Sequence, residues 1–138
     1  MVGAGIQVSP NASRILHRLG LADDLANMGV KPLAIHQRRW DDGRTLLRTS
    51  LVTMEAAFGF PHYQMHRADL LNALVRALPA ERLHTGHRFT ALADHGDHVE
   101  GAFENGTNIS VDLLVGADGI HSAVRHVMFG PEKSLGDQ

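Results

Sequence analysis

The chain contains no cysteine in its 138 residues. Disulfides, thiolate metal sites and cysteine nucleophiles are thereby excluded. No apolar run approaches the roughly 20 residues that span a bilayer. The first residues carry neither a basic segment nor an apolar one of the kind that directs secretion, so a cytoplasmic protein is expected. An excess of one charge is missing too. A net charge of −2 gives no general attraction to nucleic acid or to an anionic membrane, and neither is expected as a partner. Asn11-Ala12-Ser13 and Asn105-Gly106-Thr107 match the glycosylation sequon but mean little without a signal peptide. No Gly-x-Ser-x-Gly motif surrounds Ser122, so acyl transfer at a nucleophile elbow is not expected. What remains is ordinary: 43% of the residues are hydrophobic, enough at this length for one domain with a core.

The most informative stretch runs from Asp112 to Arg125, Asp-Leu-Leu-Val-Gly-Ala-Asp-Gly-Ile-His-Ser-Ala-Val-Arg. Leu113, Leu114 and Val115 form a short unbroken apolar run, which predicts a strand buried on both faces. Gly116 and Gly119 flank Asp118, so the backbone there can turn sharply or lie against another molecule. From Ile120 onward, Ile120, Val124, Val127 and Met128 fall at helical spacings. Strand, glycine turn and helix start suit a nucleotide. Free amides at a helix N-terminus attract anions, and an aspartate at a strand end accepts from ribose hydroxyls. The same pattern also describes a plain turn with Asp118 or Ser122 as a helix cap. The residues alone leave both open.

Upstream, Gly3-Ala4-Gly5 lacks the third glycine of a dinucleotide fingerprint, since Val8 stands there and only two residues precede the run. It reads as a glycine-rich lead into a helix, with Ser9 as cap and Pro10 in the first helical position. Ala12, Ile15, Leu16 and Leu19 make an apolar stripe ended by Gly20, and a second helix spans about residues 21–28. Residues 33–40 and 44–51 predict strands joined at Asp41-Asp42-Gly43, a hairpin signal. Its arginines, Arg38, Arg39, Arg44 and Arg48, read as a solvated face.

Residues 54–61 look irregular, and 63–66 look like a short strand. Leu70, Leu71, Leu74 and Leu78 predict an amphipathic helix that Pro79 ends. Arg67 at its mouth can clasp a phosphate or form a salt bridge. His87 to Val111 predicts a meander of three strands, turning at His95-Gly96-Asp97 and, in type I′ form, at Asn105-Gly106. The ten histidines invite a metal, but none is expected. His62 and His66 follow Pro61 and lack the glutamate of His-Glu-x-x-His, and the pairs His84/His87 and His95/His98 sit at strand ends or turns without a recognisable ligand set.

Val-Gly-Ala-Asp-Gly-Ile-His-Ser-Ala-Val-Arg at 115–125 resembles the Asp-Gly motif of FAD-dependent aromatic-ring monooxygenases of the salicylate hydroxylase and hydroxybenzoate hydroxylase type. Gly-Ala-Gly-Ile-Gln-Val-Ser-Pro-Asn-Ala at 3–12 and His-Arg-Ala-Asp-Leu at 66–70 resemble two further segments of that family. The resemblance implies an α/β fold: a partial FAD-binding domain, Rossmann-like and of the glutathione-reductase type, over residues 1–138. A β-meander belongs to it, and the hairpin at 33–53 begins the substrate-domain sheet.

The resemblance also assigns roles. Gly5, Ile6 and Gln7 would lie by the isoalloxazine, Arg67 on the FAD phosphates, and the backbone of Phe89 at the adenine end. Asp118 would hold the phosphate and ribose side, and Gly119 would allow close approach. No catalytic residue is implied. The activity implied is hydroxylation of a small aromatic, hydroxybenzoate-like substrate with NADH or NADPH and O₂, through a flavin C4a-hydroperoxide. FAD-dependent epoxidases and tetracycline-type hydroxylases share the scaffold, and a non-catalytic remnant is a further reading. Neither the phosphate-binding glycine loop nor the C-terminal Gly-Asp motif of the family is matched. A fragment is therefore expected, one that exposes strand edges, self-associates and holds no FAD by itself.

Overall fold

The computed structural model describes residues 4–130, so Gly3 of the Gly3-Ala4-Gly5 run and the residues from Pro131 onward lie outside the described residues. The chain divides into two units, Met1–Leu83 and His84–Gln138. In chain order the first contains Gly5–Val8 (β1), Pro10–Arg18 (α1), Ala22–Met28 (α2), Ala34–Arg38 (β2), Thr45–Ser50 (β3), Met54–Phe58 (α3), Tyr63–His66 (β4) and Arg67–Arg76 (α4), then a single 3₁₀ turn at Ala80–Arg82. Among the described residues no helix is long and apolar enough to cross a membrane.

β1 forms where the sequence suggests only a lead-in loop. Its residues alternate as strand residues do: Ile6 and Val8 turn inward, while Gly5 and Gln7 are exposed. It pairs antiparallel with β4, from Gly5 opposite His66 to Val8 opposite Tyr63. Val8, Leu25, Tyr63 and Met65 make the core, with Ile6, Ala12, Leu16 and Leu70 packed against it. Burying each such large apolar side chain contributes about 1.5–3 kcal/mol.

Pro10 opens α1 as expected, but the Ser9 hydroxyl donates to Asn11 Oδ1 instead of capping the helix. Ser13, fully buried, donates to the Pro61 carbonyl at 2.7 Å and ties α1 to the chain entering β4. Ile15 and Leu19 remain exposed, so the buried stripe is narrower than the spacing predicts. α2 ends at Gly29, where a Cβ would stand 2.6 Å from the Leu25 carbonyl and 2.8 Å from the Tyr63 ring. Only glycine lets this helix close against β4.

α3 occupies residues predicted to be irregular. Glu55, Ala56 and Ala57 favour helix, and Gly59, at φ +75°, closes it in the left-handed conformation. The β2–β3 hairpin forms as expected, pairing Ala34 with Ser50 and His36 with Arg48. Every residue of β3 is exposed.

The second unit is a meander of Phe89–Asp94 (β5), Val99–Phe103 (β6) and Asn108–Val111 (β7), in that order, followed by Ala123–Phe129 (α5). The turn at Asn105-Gly106 is where the sequence puts it but not in type I′ form. Gly106 alone has positive φ, +82°, and the Phe103 amide donates to the Thr107 carbonyl, closing a three-residue loop. Leu113 to Val115 make no strand. Leu114 packs on Gly101, yet Leu113 and Val115 are each 75% exposed. Among the described residues no strand pairs with this segment, so nothing satisfies a second ladder or covers the outer face. The helix starts at Ala123, not Ile120.

Candidate functional site

In the first unit the β1–β4 pairing sets the geometry. Because Gly5 lies opposite His66, α4 starts beside the head of β1, and the Arg67 amide donates to the Ala4 carbonyl at 3.2 Å. The structure thus brings together Gly5, Ile6, Gln7 and Arg67, four of the positions singled out by sequence. His66 caps α4: its Nδ1 accepts from the Ala68 amide at 3.2 Å. Sequence reading missed that role, because histidine is a rare cap. The cap occupies an α4 amide and leaves the next side chain uncommitted. Arg67 is exposed, and among the described residues its guanidinium has no hydrogen-bond or ion-pair partner.

In the second unit Phe89 and Asp118 line one apolar groove of about 440 Å³, with Phe103, Leu114, Gly116 and Val124. Phe89 packs edge-on against Phe103, with centroids 6.3 Å apart. Gly119 follows at φ +89°, and a Cβ built there meets nothing within 4 Å. The backbone at that point is open to a neighbour.

Asp118 is the most constrained polar group of the turn. Ser122 Oγ donates to its Oδ1, while the amides of Ala123 and Val124 donate to Oδ2 at 2.6 and 3.3 Å. Ser122 Oγ in turn accepts from the Arg125 amide at 2.9 Å. The Ser122 hydroxyl, and after it the backbone amides of the turn, hold the Asp118 carboxyl below its ordinary value, against an opposing loss of hydration that is second only to the Ser122 bond. The expectation of free, anion-attracting amides at this helix start is therefore corrected. Asp118 and Ser122 take those amides, and the carboxylate cancels the local positive field. The carboxylate is nevertheless exposed, so a donor such as a sugar hydroxyl can reach it from solvent.

Each unit by itself offers groups of the kind a flavin dinucleotide uses: in the first an exposed guanidinium for phosphate and a strand with exposed Gly5 and Gln7, in the second an ionised carboxylate at a glycine turn. The fold is that of a flavin-dependent monooxygenase. Superposition on Klebsiella pneumoniae HpxO complexed with FAD and uric acid gives a TM-score of 0.81 at 28% identity, covering 91% of this chain and 32% of that one. Residues 5–131 match the FAD binding domain family, and the chain belongs to it. It is 46% identical over 125 residues to the 3-amino-4-hydroxybenzoate 2-monooxygenase of Streptomyces cremeus, an alignment taking in 90% of this chain and 32% of that protein. It is 36% identical over 130 residues to a salicylate hydroxylase of Pseudomonas putida, covering 94% and 30% respectively. The chain thus spans about a third of the length of these relatives.

Proposed function

We propose that these residues form part of the FAD-binding domain of an NADH- or NADPH-dependent monooxygenase that hydroxylates a small aromatic acid with O₂. What carries the reading is the family match across residues 5–131. Relatives named for aminohydroxybenzoate and salicylate point to the substrate class. FAD, when bound, supplies the redox chemistry that accepts reducing equivalents and activates oxygen.

The chain's own residues would do the holding. Arg67 would clasp a phosphate with parallel N–H donors, an interaction that contributes about 1.5–3 kcal/mol for a charged pair. Gly5 to Gln7 would present the strand edge to the flavin ring. Asp118 would accept from a ribityl or ribose hydroxyl, Gly119 would admit the ligand closely, and the Phe89 backbone would lie at the adenine end. The hairpin at 33–53 would form part of the substrate-side sheet.

The test is a graft. Residues 5–131 replace their counterpart in the Streptomyces cremeus enzyme, and FAD content and NAD(P)H oxidation are measured. The graft should purify yellow and oxidise NAD(P)H faster when an aromatic acid is added. Arg67→Ala in it should weaken FAD by roughly 10- to 150-fold, the equivalent of the charge-assisted contact above. A folded graft that retains no FAD would overturn the proposal.

A further inference from the structure

The tip of the β5–β6 hairpin gathers His95, Asp97, His98 and Glu100. Nε2 of His95 lies 3.5 Å from Glu100 Oε2, and Nε2 of His98 lies 3.9 Å from Glu100 Oε1. One ligand atom from each of these three residues falls within 4.8 Å of the others, the single such group among the described residues. The far side of His98 is fixed as well: its Nδ1 stands 2.7 Å from Asp97 Oδ1. A carboxylate only accepts, so Nδ1 carries the proton and Nε2 of the neutral ring presents its lone pair.

We propose that this hairpin tip binds a late first-row divalent cation such as zinc. The ligands are Nε2 of His95, Nε2 of His98 and the Glu100 carboxylate, and Asp97 is the positioning residue for His98. Zinc takes nitrogen and oxygen ligands at about 2.0–2.2 Å, which sets neighbouring ligand atoms roughly 3.3 Å apart in a tetrahedron. The His95 gap of 3.5 Å is already near that value, while the His98 gap of 3.9 Å, to the other carboxylate oxygen, must shorten. The imidazole rings are stacked, 4.6 Å between centroids and 12° from parallel, so one must turn for both lone pairs to converge. Side-chain exposures of 44% for His95 and 36% for His98 leave room for that rotation.

Two imidazoles and one carboxylate favour zinc, nickel or copper over calcium and magnesium, which prefer oxygen. Sequence spacing hides the group. His95 follows the end of β5, His98 precedes β6 and Glu100 lies within it, and the ligands meet because the chain reverses at Gly96, φ +89°. A bound ion would clasp the two strands across their turn.

The test titrates zinc into the full chain near neutral pH against a chromogenic chelator, with calcium as comparison, and follows thermal melting. A single equivalent of zinc should bind and raise Tm, and calcium should do neither. His95→Ala, His98→Ala and Glu100→Gln should each weaken zinc at least tenfold while leaving metal-free melting unchanged. Asp97→Asn, which keeps all three ligands, should weaken it about 10–100-fold, as loss of an orienting partner does. Zinc binding undiminished in the His95→Ala/His98→Ala double variant would assign the ion to other histidines and overturn the site. Binding no tighter than calcium's would show the cluster to be an ion-pair network alone. Unchanged affinity in Asp97→Asn would overturn its positioning role.

Discussion

A Cβ on Gly116 would stand 2.7 Å from Cγ1 of Val124, the one buried side chain of α5. Gly116→Ala must therefore push α5 away from the chain before it. Overpacking of this kind costs about 1–3 kcal/mol, and denaturant unfolding should show that loss. Ser122 is the N-cap of α5, so Ser122→Ala should cost about 1 kcal/mol and let the Asp118 pKa rise. The sign of the pH effect follows from the direction of that pKa. Folding holds Asp118 below its ordinary value of 3.8, so its contribution is complete above that pH and is lost as pH falls through the lower folded value. Asp118→Asn should flatten the acid limb of a Tm-against-pH curve below 3.8 and leave its slope at neutral pH unchanged. At this scale the sequence was half legible. The residue types around Asp118 suit either a cap or a ligand site, and only the chain reversal at Gly119 shows that Ser122 and the α5 amides reach the carboxylate.

Elements were easier to read where one local signal decides them. The β2–β3 hairpin, the meander, α2 and α4 follow from apolar spacing and turn residues, and all are present. β1 was missed because Gly5-Ile6-Gln7-Val8 is too short to show a period, and its strand state depends on β4, more than fifty residues later in the register. α3 was missed because its five residues are too few to show a period, owe their ending to Gly59 and bury no side chain. The reverse error occurred at Leu113 to Val115, where an apolar run predicts burial that no neighbour provides. Turn type needed coordinates as well. Gly106 is left-handed while Asn105 is not, so Gly106→Ala should destabilise the β6–β7 turn by about 1–2 kcal/mol, and Asn105→Ala should add no backbone strain and lose only its two side-chain bonds, from the Thr107 amide and to the Gly86 carbonyl. Comparing the two by thermal melting checks the turn assignment.

For the molecule as a whole, the exposed apolar surface matters most. Leu113 and Val115 are 75% exposed and Ile120 86%, and among the described residues the segment that carries the first two joins no sheet. Such a segment templates pairing with another chain. The isolated chain should therefore self-associate with rising concentration in sedimentation velocity, and Leu113→Lys with Val115→Lys should suppress it. Unchanged association in that double variant would place the contact elsewhere.

Val30 and Gln64 exchange both backbone hydrogen bonds, each 2.8 Å long, so β4 is flanked on both sides although its sheet has only two strands. Gln64 spends its amide on Val30, which leaves Tyr63 and Met65 to face β1. In hydrogen–deuterium exchange, these amides should be the last of the first unit to take up solvent deuterium. Arg67 would then be rooted in the slowest-opening segment of its unit, while its side chain lies exposed to water.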